Sequence, residues 1–597
     1  MSEYGIEALQ NQRNLLLAVL LSGLLILGWD AGMSWLYPQT ESAAVEGKVD
    51  TPTETVEARH TREGGLTDPM AIAQEKADLA TSLTAPGRIA IDGPEIGGSI
   101  NPVGARVDDV TLKSHSESMA DDSGPVRLFS PQGTPAQHFA QFGWVGEGVA
   151  APDAETVWQV EGGPLSPESP VTMRWNNGEG QLFTIRLTVD EHYMITAEQT
   201  VANTGQGPVV VRPFALLNRT SRTASQSTWT LHSGPIGYFG DGVQFGPNYD
   251  DLDEDGRVAP EGRAGWIGFT DIYWLSALAP EAGSTPEAEF RPLGGEHYRA
   301  SLVYQPVTVA PGRQVTRTTR LFVGAKDNDV LNAYEAAGIP GFDNAIDWGW
   351  FGVIEKPILW LLKHLYDLAG NFGVAIILLT VIVRLLMFPI AQKQFASMAA
   401  MKAVQPKMKA IQERHKDDKQ KQQQEIMKLY KDEGVNPLAG CLPLLLQIPI
   451  FFGLYKVLML SIEMRHKPFA LWIEDLSAPD PAHILNLFGM LPFEVPSLIA
   501  IGPLAVLLGV TMWLTFKLNP SSMDPMQQQI FNIMPWVLMF VMAPFAAGLL
   551  LYWITNNVLT LAQQSYLYSR NPQLKAQAEK DRVDRQKAAE GEQKGKA

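Results

Sequence analysis

The chain has 597 residues, a formal net charge of -17 and 45% hydrophobic residues, too long for one ordinary domain and too acidic for a general nucleic-acid binder. Its one cysteine, Cys441, excludes an intramolecular disulfide framework and a cysteine-rich metal site. The ten histidines include no HExxH-type spacing and there is no GxxxxGK[ST] loop, so no enzyme chemistry, nucleotide hydrolysis or cofactor is expected.

A mean hydropathy of -0.05 averages a polar stretch up to about residue 345 with an apolar remainder. Residues 1–13 read as a short N-terminal flank. Residues 14–36 read as a first transmembrane helix, an uncleaved signal anchor: Trp29, Trp35 and Tyr37 are interfacial anchors where a cleavage site would need small residues. Residues 37–85, rich in Thr, Glu, Ala and Ser, cannot bury a core and read as a flexible tether. Over residues 86–335 the apolar pattern changes to period two, and turn clusters such as Asn176-Asn-Gly178 separate the runs. That predicts a large all-β sandwich. Within it, Asp251-Leu-Asp253-Glu-Asp255-Gly256 opens like a calcium loop, but Gly262 stands where the bidentate Glu belongs, so an acidic solvated loop is expected.

Residues 346–369 are amphipathic at helical spacing, with Phe351, Ile354, Ile358, Leu361 and Leu365 on one stripe. The segment reads as an interfacial helix, with packing against the β-domain as the alternative. Five apolar runs follow, at 372–390, 441–461, 497–516, 526–543 and 548–567, the last two separated by a turn around Pro544. Together with the anchor they make six spans. Residues 391–440 carry Met398, Met401, Val404, Met408 and Ile411 on one stripe and Ile426, Leu429 and Tyr430 on a second, which predicts a helical hairpin. Its methionines either join its two helices or meet a partner.

Residues 391–440 hold ten Lys/Arg against six Asp/Glu, residues 462–496 two against five, and the tail from Arg570 eight against five. Positive loops stay inside. The hairpin, the short loop 517–525, the tail 568–597 and both termini are therefore expected in the cytoplasm, and the β-domain and loop 462–496 outside.

Arg384 is a lone cation inside an apolar run, roughly 18 Å along the helix from Phe372. A charge at that depth costs about 2.5–3.5 kcal/mol unless water or a partner receives it. It either snorkels to headgroups or lines a wet groove. Thr380 shares its helix face, Gln447 lies in another span, and Tyr552, Asn556 and Gln563 fall at i, i+4 and i+11 of the last one. Interhelical hydrogen bonding is the plainer explanation for each residue alone. Their gathering around one arginine favours a groove.

Several motifs, in order, carry a resemblance. Gln405-Pro-Lys-Met-Lys409 and the residues up to Lys419, Asn436-Pro-Leu-Ala-Gly-Cys-Leu-Pro443, Gln447-Ile-Pro449, Asp524-Pro-Met-Gln-Gln528 and Gly265-Trp-Ile-Gly-Phe-Thr-Asp-Ile-Tyr-Trp274 are similar to the YidC/Oxa family of membrane protein insertases, in its Gram-negative bacterial form. The resemblance implies a periplasmic β-sandwich, an interfacial helix and a five-helix core in the inner membrane, with a groove open to cytoplasm and lipid. It implies that Arg384 is the groove arginine, that Thr380 and Gln447 line the groove, and that Tyr552 is the first of a tyrosine pair whose second position here is Trp553. The implied partners are nascent membrane proteins, the lipid bilayer and the Sec translocon, with signal recognition particle receptor or ribosome contact through the hairpin. The tail is short beside those of relatives to which ribosome binding is attributed. A channel or secondary transporter with a periplasmic sensor domain is the alternative, although the spans show no internal repeat.

Overall fold

The computed structural model describes residues 61–120, 122–227, 231–349, 352–415, 418–434, 442–488, 490–491, 500–518 and 525–570. The signal anchor expected at 14–36, most of the tether and the tail beyond 570 lie outside the described residues.

Among the described residues two nine-stranded antiparallel sheets make up the β-domain. The central strands of one are Arg106–Ser116, His138–Glu147 and Val209–Thr220. Those of the other are Trp274–Pro280, Arg313–Ala325 and Met194–Asn203. Strict alternation drives the layering. In Gln181–Val189 every second residue is buried, as a strand with one face on a core requires. The Asn176-Asn-Gly178 cluster turns the chain between two such strands, with Gly178 at φ 78°.

The family-like stretch from Gly265 is a hairpin of strands Ala264–Thr270 and Trp274–Pro280. A side chain at Gly268 would meet the Ser276 carbonyl oxygen at 1.9 Å, so only glycine permits that pairing. Trp266 is buried, and its indole N–H donates to the Pro340 carbonyl at 3.0 Å.

Ten α-helices are described: α1 Pro69–Ser82, α2 Tyr249–Asp255, α3 Asn328–Ala336, α4 Gly352–Ala369, α5 Phe372–Arg414, α6 Lys419–Asp432, α7 Leu442–Leu460, α8 Pro503–Leu518, α9 Pro525–Met542 and α10 Ala547–Arg570. Three depart from the sequence reading. The tether does not run unstructured to residue 85. Asp68 caps α1 by accepting from the Met70 N–H at 3.0 Å, and Pro69 sits in its first turn, where a missing N–H costs nothing. The acidic stretch from Asp251 is the helix α2, closed by a capping box between Asn248 and Asp251, and not a loop. Helix α5 does not end at residue 390. It continues as one helix of 43 residues into the first arm of the hairpin, and its partner arm is α6, with the Tyr430 hydroxyl on the Met408 sulfur at 3.2 Å.

Among the described residues one helix, over Phe372–Gln394, is long and apolar enough to cross a bilayer by length and composition. Gln447–Leu460, Pro503–Lys517 and Asn532–Met542 are shorter apolar stretches. Helix α4 packs on α5 and α7 and also touches the β-domain side, through Lys356 to Asp343 at 2.7 Å and Lys363 to Asp329 at 2.5 Å. Its buried face is centred on Glu355, Ile358, Leu359 and Leu362.

A junction ties these layers together. Arg62 donates to the Ser477 carbonyl, the Met459 carbonyl and the Tyr273 hydroxyl. Arg465 pairs with Glu63, donates to the Ser116 carbonyl at 2.8 Å, and lies 5.3 Å from the Trp274 ring centroid. The chain entering α1 is therefore gripped between the β-domain and the loop that follows α7.

Candidate functional site

The polar residues of α5, α7 and α10 meet where these helices pack. Arg384, half-buried on α5, donates from Nε to the Asn556 side-chain oxygen at 2.6 Å and from Nη2 to the Thr560 hydroxyl at 2.7 Å. Neither bond uses Nη1. No ion pair of Arg384 is found among the described residues. With the Asn556 carbonyl, 3.4 Å from Nη2, three neutral oxygens orient the charge without cancelling it, and a cation held this way in apolar surroundings attracts anions.

One turn earlier on α10, the Tyr552 hydroxyl accepts a hydrogen bond from the Gln447 amide on α7. Tyr552 and Asn556 are buried, and Gln447 and Gln563 are partly exposed. Gln563 makes none of these bonds. Thr380 is fully buried, and its hydroxyl donates to the Ile376 carbonyl of its own helix at 2.6 Å. It faces no open groove here. Trp553, in place of a second tyrosine, packs its ring 5.0 Å from that of Phe451 on α7.

Thr560 was missed in the sequence, although it continues the face of Tyr552 and Asn556 at i+8. On another face of α10, Asn557 donates to the Thr511 hydroxyl of α8 at 3.2 Å. That bond is interhelical glue of the ordinary kind.

Among the described residues one group, Glu63, His466 and Asp475, brings ligand-type atoms within 4.8 Å of one another. Glu63 is committed to Arg465, and Asp475 accepts from the Ser477 N–H and hydroxyl. The group belongs to the domain junction.

Comparisons with known proteins agree along nearly the whole chain. A family model described as 60Kd inner membrane protein matches residues 364–575, and one described as YidC periplasmic domain matches residues 88–361. The membrane protein insertase YidC of Zymomonas mobilis is 42% identical over 585 residues, covering 97% of this chain and 99% of that one. The chain belongs to the YidC family of membrane protein insertases. The YidC of Bradyrhizobium diazoefficiens is also 42% identical, over 94% of this chain and 96% of its own. A crystal structure of an active YidC insertase with its first transmembrane domain resolved aligns over 84% of this chain and 99% of its own, at 21% identity and a TM-score of 0.36. As a YidC-family insertase the chain acts on membrane proteins in the bilayer and is not an enzyme; its β-sandwich is the family's periplasmic domain, which implies the inner membrane.

Proposed function

We propose that Arg384, Gln447, Tyr552, Asn556, Thr560 and Gln563 form the working surface of a hydrophilic groove that receives a client's short polar segment. The observation that carries this reading is the state of Arg384: half-buried, oriented by Asn556 and Thr560, and joined to no carboxylate among the described residues. Thr380 supports the wall from behind. An acidic client segment at 4 Å gains about 4 kcal/mol of Coulomb attraction at an effective dielectric near 20, before desolvation is subtracted. The client's apolar helix then leaves sideways into lipid, and burial drives that step at about 25 cal/mol per Å². No nucleotide is consumed.

In this reading the chain spans the inner membrane six times, with both termini and the α5–α6 hairpin in the cytoplasm, as the loop charges favour. It inserts, folds and helps assemble membrane proteins alone or beside the Sec translocon. The hairpin meets the signal recognition particle receptor or the ribosome.

The test is photocrosslinking from positions 447 and 563 to a stalled nascent membrane protein in native membranes, with position 118 of the β-domain as control. Crosslinks well above the control support the groove. Control-level crosslinking at both groove positions removes it.

A further inference from the structure

The loop that follows α7 carries an apolar outcrop that the groove does not use. Its first half is clamped to the N-terminal ends of three helices. Asn371, whose side chain caps α5, donates to the Phe469 carbonyl at 2.8 Å. The Leu476 and Ala478 carbonyls accept from the Gly548 and Ala547 N–H groups of α10 at 2.8 and 2.7 Å. Asp480 accepts from the Leu504 N–H of α8 at 2.9 Å and from the Trp472 indole at 3.0 Å. Beyond Asp480 no charged residue occurs from position 481 to position 493.

That charge-free stretch folds back on itself in turns. The Ile484 N–H donates to the Ile501 carbonyl at 3.0 Å, which hangs the segment beside the start of α8. The Phe488 N–H donates to the His483 carbonyl at 2.8 Å and the Leu491 N–H to the Asn486 carbonyl at 3.0 Å. These donors are met within the protein, as backbone that leaves water requires. The side chains point the other way. Leu485, Leu487 and Phe488 are more than half exposed and Met490 is 80% exposed. Leu487 and Phe488 stand at φ 52° and 61°, a left-handed conformation that L side chains rarely adopt. Leu471, 90% exposed at φ 59°, repeats the pattern earlier in the loop. Strained backbone that displays apolar side chains points to a contact surface.

We propose that residues 484–491 form a non-spanning membrane contact, whose apolar side chains enter the headgroup–acyl boundary of the leaflet at the N-terminal end of α8. Continuity identifies lipid as the occupant. Helix α8 exposes Leu507, Val510 and Leu514 at i, i+3 and i+7, one apolar face, and the outcrop hangs at the end of that helix. Charge points the same way: Lys467, Glu474, Asp475 and Asp480 belong to the clamped root and none to the tip, the division expected of a segment lying in the interface. Through its clamps the loop then sets the height of α5, α8 and α10 against the lipid. The contact is independent of the groove, and only the naming of its leaflet as the outer one rests on the proposed orientation.

The test uses the full-length protein with Cys441 replaced, in phosphatidylcholine nanodiscs, with an NBD fluorophore on Leu487→Cys or Met490→Cys. Leu507→Cys serves as the lipid reference and Ser118→Cys as the aqueous one. Lipids with a nitroxide high on the acyl chain quench the label at 487 and 490 roughly threefold more than at 118, and iodide quenches it roughly threefold less. Phe488→Asp, which puts a charge in the tip, weakens nitroxide quenching at 490 roughly threefold, while the label at 507 and the thermal unfolding midpoint are unchanged. Iodide quenching at 487 and 490 equal to that at 118 overturns the proposal and leaves the loop in water. Weak quenching by both agents also overturns it, because protein then covers the tip. So does protection from iodide that arises only with a stalled nascent chain, which makes the outcrop a client dock. Nitroxide lipids occupy both leaflets, so an inverted orientation leaves these readings unchanged.

Discussion

Arg384 and Asn556 are joined across α5 and α10 by a charged hydrogen bond of 2.6 Å, in which the guanidinium Nε donates to a neutral amide oxygen. The amide fixes the direction of the charge and leaves its field intact. A carboxylate in the same place would fix it equally well and cancel the field.

Asn556→Asp separates those two roles. The variant keeps the bond to Arg384 but neutralises it, so insertion of clients with acidic translocated segments falls roughly tenfold at unchanged protein level. Clients with neutral segments are spared. Equal losses for both, measured by protease protection of the translocated segment, would leave Arg384 a packing role only.

Substitution at Arg384 itself orders the same clients. Arg384→Lys keeps the charge and most of the activity, although it loses the fork that binds Asn556 and Thr560 together. Arg384→Glu impairs acidic-segment clients most and basic-segment clients least. Arg384→Ala behaving as the native protein with every client would show that the side chain merely snorkels to headgroups.

Glu355 on α4 predicts a pH dependence. It is fully buried, neither carboxylate oxygen has a protein partner, and burial raises its pKa from 4.5 to about 8 against the opposing pull of Lys456. Between those values the folded protein holds a proton that the unfolded chain has released. Its contribution is therefore full below pH 4.5, falls as pH rises towards 8, and is flat above. Thermal unfolding in detergent from pH 5 to 9 should show this decline in the native protein and a flatter profile in Glu355→Gln. Identical profiles would mean that Glu355 is not buried as a neutral acid.

The domain junction predicts a structural loss. Arg465→Ala removes the partner of Glu63, two backbone hydrogen bonds and the contact with Trp274. Glu63 is 30% exposed in this pair, so its loss costs less than the about 3 kcal/mol of a fully buried one. Limited proteolysis should cut sooner between residues 61 and 68, with crosslinking from the groove unchanged. Unaltered proteolysis would make the junction incidental.

Topology is tested on a background with Cys441 replaced. Ser118→Cys and Glu474→Cys, both at exposed positions, should react with an impermeant thiol reagent in spheroplasts, whereas Gln423→Cys should react only after lysis. Labelling at position 423 in sealed spheroplasts would invert the proposed orientation.

Local chemistry was legible in the sequence wherever one residue dictates the outcome. Alternation marked the strands, and Asn177-Gly178 marked a turn. Pro544 separates α9, which ends at Met542, from α10, which begins at Ala547. The Asp68-Pro69 start of α1 was equally explicit, but the polar composition around it concealed a helix whose inward residue is an acid. Asn248 and Asp251 carried the capping box of α2 in the same way, masked by resemblance to a metal loop. The site was legible as a set of faces, because the i, i+4 rule puts Tyr552 and Asn556 together. Which bonds form across helices was not. Thr560 became an arginine partner only once α5 and α10 were packed, whereas the Thr380 bond to the Ile376 carbonyl is local to its own helix. The junction of Arg62, Glu63 and Arg465 joins residues about four hundred positions apart, and no local pattern announces it.

Helix α5 carries Arg384 and ends at Arg414 without a break. Thirty residues at 1.5 Å each place about 45 Å of helix between the charge and the hairpin tip. The arm beyond Gln394 is thus a lever rather than an appendage. A partner that grips the hairpin holds the far end of the same rod, and any tilt it imposes is delivered to the arginine, with Pro389 as a point where the rod bends first.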